Sequence, residues 1–337
     1  MTGRDRVKAT LTFKRPDRAP RDLWAVPYVI LFRENELKSI LSKFPMDIDL
    51  SEISLNFTKE QLMLASKKGH YIDDWGSVWY VGEPGVWGEV KKPMLESWLA
   101  LKKFRPPYYL IENRDFSIIN KQCAESSKFM LSHITARPFE RLQFLRGTEN
   151  LFLDIASNSS EFHKLLRIIH EFYLKDIESW CKTDVDGILF MDDWGTNISL
   201  LINPKVWREI FKPLYREYCN IIHNYGKFAF FHSDGNIEEI FSDFIEIGVD
   251  AINAQLFVMN IEKIASNYKG KITLWGEVDR QYTLAFGTPD DVFKDVLRVR
   301  NLFDDETGGL IAQCEWGKDN SRENIESVYK AWGSPLR

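Results

Sequence analysis

The feature of this sequence that most constrains its fold is a regular alternation of short apolar runs and amphipathic stretches from residue 186 onward. The apolar runs are rich in β-branched and aromatic residues and predict buried strands, whereas the stretches between them predict helices. The predicted strands cover residues 186–191, 227–232, 250–254, 272–276 and 309–314. The predicted helices cover residues 204–225, 237–247, 260–268, 289–303 and 323–332. This pattern is typical of parallel strands joined by right-handed crossovers.

Three further strands are predicted upstream, at residues 21–26, 46–50 and 129–135. Eight parallel strands close into a barrel, so the sequence predicts an α/β protein with a single (β/α)8 TIM barrel over residues 1–337. The alternative is an open doubly wound sheet, which needs a phosphate-binding loop at its switch point. No G-x-G-x-x-G or Walker-type loop occurs in this sequence, and the barrel is therefore favoured.

A Trp- and Gly-rich segment, about residues 55–105, interrupts the alternation. Its glycine spacing does not fit a strand–helix repeat, and we expect an excursion that lies over the mouth of the barrel. Trp75, Trp79 and Trp87 in this segment are candidates for stacking on an aromatic substrate. The alternative is that these side chains only pack the excursion itself.

Charge and hydropathy exclude two classes of partner. The net charge is −5 and no long basic run occurs, so nucleic acid is not an expected partner. No apolar run approaches the roughly 20 residues that span a bilayer, and the charged N-terminus lacks the apolar segment of a signal peptide. We therefore expect no membrane partner, a cytoplasmic location, and reduced thiols at the four scattered cysteines.

Polar residues follow the predicted strands at the edge where an α/β barrel carries its catalytic groups. In chain order, these strand-end residues are Asp192, Asp193, Trp194, His232, Asp234, Gln255, Glu277 and Cys314. Imidazole, thiolate and carboxylate are the ligands of zinc, and a catalytic zinc has three protein ligands and one open position. The predicted metal ligands are therefore His232, Cys314 and a carboxylate, with the choice between Asp234 and Glu277 left open.

The remaining strand-end residues have less specific interpretations. Asp192 and Asp193 are candidates for an acid or a substrate anchor, and the alternative is that one of them caps the following helix or orients a polar neighbour. Trp194 and Gln255 are predicted to contact the substrate because they lie at the same edge.

Several segments together are similar to those of one protein family. They cover residues 4–8, 16–20, 74–76, 84–91, 139–141, 144–147, 192–195, 232–236, 275–276 and 323–325. On these residues the chain resembles the uroporphyrinogen decarboxylase superfamily nearly end to end, and within it the corrinoid-linked methyltransferases. The resemblance implies the barrel fold, but not one activity, because the superfamily carries out different reactions.

Two branches of this superfamily imply different chemistry. Uroporphyrinogen decarboxylase itself has an arginine-rich stretch on its first strand that grips substrate carboxylates, whereas residues 22–27 here read Asp-Leu-Trp-Ala-Val-Pro. The methyltransferases bind zinc through an H-x-C motif and a cysteine after the last strand. This chain has His232 and Cys314 but carries Asp234 in place of the motif's cysteine. An oxygen ligand favours a Lewis-acid role toward an oxygen of the substrate.

The resemblance therefore implies a zinc-dependent methyltransferase that moves a methyl group from a methoxylated aromatic substrate to a corrinoid protein. Zinc is expected to polarise the ether oxygen, with Asp192 or Asp193 protonating the leaving phenolate. The corrinoid is expected to come from a separate small protein, because no D-x-H-x-x-G motif occurs here. The alternatives are methyl transfer from a methyl-corrinoid to a thiol, a decarboxylase, and a binding protein without catalytic activity.

Overall fold

The fold is seen in a computed structural model that describes residues 1–50, 64, 66–276 and 278–335. The strands along the chain are β1 (Arg21–Ala25), β2 (Ile48–Leu50), β3 (Gly69–Ile72), β4 (Val78–Val81), β5 (Glu89–Lys92), β6 (Phe129–Ile134), β7 (Gly187–Met191), β8 (Phe228–Ser233), β9 (Ala251–Ala254), β10 (Thr273–Trp275) and β11 (Leu310–Trp316). One parallel sheet has the order β1-β11-β10-β9-β8-β7-β6-β2. The predicted (β/α)8 barrel is confirmed.

Helices surround this sheet and connect its strands. They are α1 (Gly3–Leu11), α2 (Pro27–Phe32), α3 (Glu34–Lys43), α4 (Tyr109–Glu112), α5 (Ser117–Glu125), α6 (Pro138–Arg146), α7 (Thr148–Ser157), α8 (Ser160–Cys181), α9 (Pro204–Ile210), α10 (Lys212–Asn224), α11 (Phe241–Ile247), α12 (Ile261–Tyr268), α13 (Thr283–Phe286), α14 (Pro289–Phe303) and α15 (Arg322–Trp332). Within the described part of the chain, none of them is long and apolar enough to cross a membrane.

The barrel closes between β1 and β2 through Asp47. Its N–H donates to the carbonyl of Arg21 at 2.8 Å, and its carboxylate accepts from the Arg21 N–H at 2.7 Å. The same carboxylate forms ion pairs with Arg6 of α1 at 2.5 Å and with Arg18 at 2.7 Å. Val7 of α1 packs into the barrel interior. Helix α1 therefore seals the end where β1 and β2 begin, and the carboxyl ends of the strands form the open mouth.

Side chains of the strands alternate between two cores. The barrel interior is filled by Ile48, Phe129, Leu131, Leu189, Phe230, Ala251, Trp275 and Ile311. Their neighbours along the strands pack outward against the helices, as Phe190, Phe231, Leu274 and Ala312 do. Burial on both faces explains why these strands read as continuous apolar runs rather than as alternating patterns.

The helix predicted for residues 204–225 is two helices in the structure. Helix α9 ends at Ile210 and α10 begins at Lys212. Pro213 has no N–H to donate to the preceding turn and its ring crowds that turn, so the helix breaks just before it. The prediction of one continuous helix is therefore wrong, although both halves lie within the predicted range.

The Trp- and Gly-rich excursion borders the barrel mouth, although its residues 51–63 and 65 lie outside the described residues. It contains an antiparallel sheet of β3, β4 and β5. The Ser77 hydroxyl donates to the Phe144 carbonyl of α6 at 2.8 Å. Gly85 lies against Tyr28 of α2, where an added Cβ would come within 2.8 Å of backbone. The segment thus bridges the helices that follow β6 and β1, and a role in covering the mouth stays a prediction.

Asp22 is a carboxyl group buried inside the barrel, where its Oδ2 accepts a hydrogen bond from the Trp275 indole at 2.8 Å. Burial raises the pKa of Asp22 to about 6, and the indole hydrogen bond opposes this rise only in part. The folded protein therefore retains a proton that the unfolded chain releases near pH 4. The free energy of unfolding consequently falls as the pH rises from about 4 to about 6.

Asp22→Asn keeps an acceptor for the indole and removes the charge. We expect the variant to gain about 2–3 kcal/mol in the free energy of unfolding above pH 6 and to differ little from the native chain at pH 4. Urea unfolding of both proteins at pH 4 and pH 8 measures the difference. A variant less stable than the native chain at pH 8 contradicts the expectation.

Candidate active site at the barrel mouth

His232 lies near the end of β8 with its imidazole facing the mouth. Its Nδ1 is 2.6 Å from Oδ1 of Asn253 on β9. The Asn253 amide nitrogen donates to the Trp275 carbonyl at 2.5 Å and to Oε1 of Gln313 at 3.1 Å, and these two acceptors fix the orientation of the amide. Nδ1 of His232 therefore carries a proton as the donor, and the hydrogen-bond network directs Nε2 toward the mouth.

Two carboxylates face Nε2 of His232. Its distances to Oδ1 of Asp193 and Oδ1 of Asp234 are 3.6 and 3.5 Å. Together the three ligand atoms lie within 4.8 Å of one another, in an arrangement that a cation between them would stabilise. Of the predicted ligands, the structure thus brings His232 and Asp234 together and adds Asp193, whereas Glu277 lies outside the described residues. We call Asp193, His232 and Asp234 the triad.

Two glycines hold the carboxylates of the triad in place. The loops after β7 and β8 cross so closely that a Cβ on Gly235 would lie 2.1 Å from the Gly195 carbonyl, and Gly235 has a φ of +79°. The Gly195 N–H donates to the Asp234 carbonyl at 3.1 Å. The Asp234 N–H in turn donates to Oδ1 of Asp193 at 2.9 Å. The crossing therefore fixes the spacing of Asp193 and Asp234, and no larger residue fits there without moving the loops.

Arg280 joins the triad to the last strand of the barrel. Its guanidinium contacts Oδ1 of Asp234, the same oxygen that faces His232, and pairs with Oε2 of Glu315 at 3.0 Å. Burial acts to raise the pKa of Asp234, but His232 and Arg280 together hold that pKa below its usual value. Asp234 is therefore ionised at neutral pH.

Arg137 and Glu140 lie on the other side of the triad, at the start of α6. Nη2 of Arg137 is 2.8 Å from the sulfur of Met191, and its Nε is 3.6 Å from Oε2 of Glu140. Burial raises the pKa of Glu140 to about 7; Arg137 opposes this rise, and the charge of Asp193 adds to it. Glu140 is therefore a carboxyl group whose neutral form is well populated near pH 7.

The larger, C-terminal part of the chain matches one known protein family. Residues 126–331, more than half of the chain, match the sequence model of the family described as uroporphyrinogen decarboxylase (URO-D). The chain belongs to the uroporphyrinogen decarboxylase family. The matched range begins before β6 and ends within α15, so it includes the triad, Arg137, Glu140 and Arg280. No curated protein sequence matches this chain.

Two solved structures are similar to this family member at low sequence identity. The methyltransferase from Methanosarcina mazei is 13% identical, with a TM-score of 0.71 over 98% of both chains. An endo-beta-1,4-xylanase from Gloeophyllum trabeum is 8% identical, with a TM-score of 0.47 over 95% of this chain and 98% of the other. The xylanase match is too distant to inform function, and the first match at this identity establishes the fold alone.

Asp192 is buried in this family member rather than exposed at the mouth. Its carboxylate accepts from the N–H groups of Phe139 at 2.9 Å and Glu140 at 2.8 Å, and from the Tyr215 hydroxyl at 2.6 Å. Its carboxylate thus caps the start of α6, the helix after β6, and contacts no side chain of the triad, although its backbone N–H donates to the His232 carbonyl at 3.1 Å. Asp192 therefore has a structural role, but it caps an earlier helix and not the following one that was the predicted alternative. Of the two predicted acids only Asp193 lies at the mouth.

Cys314 does not lie with the triad. Its side chain is fully buried in the outer core, with Sγ 3.8 Å from the Tyr329 hydroxyl of α15. Glu315, the next residue, reaches the mouth instead, because successive side chains of a strand point to opposite faces. Strand β11 continues to Trp316, two residues beyond its predicted end. The grouping of Cys314 with the metal ligands is therefore corrected.

Trp194 and Gln255, both predicted to contact substrate, are buried. The Trp194 ring stacks on Phe139 with centroids 4.2 Å apart, and its indole N–H donates to the Tyr215 hydroxyl at 3.0 Å. This packing turns Trp194 toward the helices and away from the mouth. Oε1 of Gln255 accepts from the Gly235 N–H at 2.9 Å, so Gln255 supports the loop that carries the triad.

The three tryptophans of the excursion differ in environment. Trp75 is buried edge-on against Phe172, with centroids 4.8 Å apart. The Trp79 indole donates to Asp73 at 3.0 Å. Both contacts correspond to the alternative that these residues pack the excursion. Trp87 is 46% exposed, and its contact with substrate stays a prediction.

Sequence reasoning missed several side chains of the mouth. Trp24 of β1 is one of them, with its ring 5.1 Å from His232 and 5.0 Å from Trp275. Strict alternation along β1 points Trp24 inward and is the signal that identifies it. The other missed residues of the mouth are Arg137, Glu140 and Arg280.

Proposed function

We propose that this chain is a metal-dependent methyltransferase that moves a methyl group from a methoxylated aromatic substrate to a corrinoid carried by a separate small protein. The observation that supports it best is the convergence of Nε2 of His232 with the oxygens of Asp193 and Asp234 in the barrel mouth. The similarity of the whole fold to the methyltransferase from Methanosarcina mazei agrees with this reaction class.

The triad fits a divalent cation such as zinc. Imidazole nitrogen and carboxylate oxygen are accepted zinc ligands, and three of them leave a position open for substrate. Asn253 adds the outer hydrogen bond that a ligating histidine commonly makes through its second nitrogen. Asp193 takes the place that was predicted for Cys314. When bound here, the cation supplies Lewis-acid activation of the ether oxygen.

Residues around the triad are placed to contact the departing oxygen and the aromatic ring of the substrate. Loss of the methyl group leaves negative charge on an aryl oxygen, and a phenol with a pKa of about 10 can leave as the anion where that charge is stabilised. Arg280, beside Asp234, can donate an N–H to that oxygen, so protonation by a nearby acid is not required. Trp24 offers an aromatic surface next to His232 for the ring.

The alternatives agree less well with the mouth. A thiol acceptor is usually activated at a thiolate-rich site, and Cys314 is turned to the outer core. Decarboxylation of a substrate with many carboxylates needs an arginine-rich first strand, whereas the inward-facing residues of β1 are Asp22 and Trp24. If the chain is a binding protein without catalytic activity, no methyl transfer will occur, and the following experiment tests this.

Removal of the metal is expected to abolish methyl transfer. The full chain, loaded with zinc, is incubated without oxygen with cob(I)alamin and a panel of methoxybenzoates and methoxybenzamides, and the absorbance of the reduced cobalt is followed. We expect the absorbance of the reduced cobalt to fall with at least one substrate. It should stay constant after chelation of the metal and fall again when zinc is returned. No loss of reduced cobalt with any substrate of the panel contradicts the proposal, and transfer that survives complete chelation contradicts its metal.

A further inference from the structure

Arg137 is a cation with few partners. Its side chain is 26% exposed, and among the described residues no oxygen atom accepts a hydrogen bond from its guanidinium. The contacts it makes are to the Met191 sulfur at 2.8 Å, to Glu140 at 3.6 Å, and to the Phe144 ring at 6.0 Å. A guanidinium has five N–H donors and a thioether is a weak acceptor, so most of its donor capacity remains for a ligand.

The guanidinium lies inside the mouth, next to the triad. Met191 pairs with His232 in the register between β7 and β8. Leu189 and Phe230, two residues earlier on the same strands, fill the barrel interior. Met191 and His232 therefore face the interior as well. Because Arg137 contacts the Met191 sulfur, its charge lies one strand away from His232.

Glu140 faces Arg137 across a gap. Their closest atoms are 3.6 Å apart, which is too far for a direct hydrogen bond, and Oε2 of Glu140 is buried without a hydrogen-bond partner among the described residues. Burial favours the neutral carboxyl group, which has a hydroxyl to donate. A guanidinium and a neutral carboxyl group together offer two donors to one planar anion.

We propose that Arg137 binds a carboxylate of the substrate, with Glu140 donating to its second oxygen, so that the substrate is a methoxylated aromatic acid. This inference rests on the proposed function, which accounts for the methoxy group, and it adds a carboxylate on the same aromatic ring. A carboxylate fits better than a phosphate, because a dianion would face the nearby charges of Asp193 and Asp234 with one arginine to balance it.

The test compares acids with neutral analogues of the same shape. Calorimetry measures binding of the positional isomers of methoxybenzoate and methoxybenzamide to the full zinc-loaded chain, without corrinoid. We expect at least one acid to bind roughly ten- to hundredfold more tightly than its amide. Arg137→Gln is expected to lose that preference without weakening amide binding, and Arg137→Lys to keep part of it.

One control and one conservative variant of the site complete the test. Arg298→Gln removes an exposed arginine of α14 that pairs with Glu262, and should leave the preference unchanged. Glu140→Gln keeps an N–H donor in place of the hydroxyl and should keep the preference. Equal binding of acid and amide to the native chain, or a folded Arg137→Gln that still prefers the acid, overturns the inference. If the acid preference depends on Arg137 but the chain transfers no methyl group, the proposed function is overturned and this inference stands.

Discussion

Replacing His232 with alanine is expected to lower kcat/KM for methyl transfer by about 10³-fold or more. The substitution removes Nε2, the nitrogen of the triad, and leaves the oxygens of Asp193 and Asp234 facing each other without it. Without the imidazole nitrogen the two carboxylates offer a cation one ligand fewer and bind it less tightly. The purified variant should therefore also lose its zinc. Rates with cob(I)alamin and metal content by mass spectrometry measure both effects.

His163→Ala is the matched control for that experiment. His163 lies on the exposed side of α8, where Nε2 contacts Asn158 at 2.6 Å, and it is not one of the residues that contact the triad. Its removal should change neither the rate nor the zinc content. A folded His232→Ala protein that retains more than about a tenth of the native rate contradicts the assignment of His232 to the reaction.

Gly235→Ala is expected to cost at least about 3 kcal/mol in the free energy of unfolding. The new Cβ would meet the Gly195 carbonyl at 2.1 Å, and a backbone atom cannot rotate out of the way as a side chain can. The loops after β7 and β8 must then separate, which moves Asp193 and Asp234 and should also remove activity. Urea unfolding followed by fluorescence measures the loss of stability.

Gly226→Ala separates crowding from backbone strain. Gly226 also has a positive φ, +69°, but an added Cβ there has nothing within 4 Å. Its substitution should cost only about 1 kcal/mol, the usual penalty for a side chain in the left-handed region. A Gly235→Ala protein as stable as the Gly226→Ala protein would show that the loops separate freely.

Strand order and the place of the mouth could be predicted from the sequence because apolar periodicity reports burial directly. The strands predicted at 227–232 and 250–254 agree with β8 and β9 to within a residue at each end. Cys314 is predicted at the end of its strand, whereas β11 continues to Trp316 and Cys314 lies within it on the outward face, with its neighbour Glu315 facing the mouth. A shift of one residue reverses the face to which a side chain points, so strand-end residues are sensitive to the boundary.

The Asp192–Asp193 pair shows a second limit of sequence reasoning. Both residues follow β7, and only the structure shows that Asp192 caps α6 while Asp193 enters the mouth. The partner N–H groups of that cap lie more than fifty residues earlier in the sequence, so no local pattern reports them. Arg137 and Glu140 were missed for a related reason, because they lie at a helix start beyond the strand end.

The most direct test of the central claim follows two carbon atoms of one substrate. The methoxybenzoate that binds most tightly is labelled with ¹³C in both the methoxy and the carboxyl group, then incubated with the zinc-loaded chain and cob(I)alamin. We predict that the labelled methyl carbon moves to cobalt while the carboxyl carbon stays on the ring, as seen by NMR. Release of the labelled carboxyl carbon as carbon dioxide, with the methoxy group intact, contradicts the account and identifies a decarboxylase.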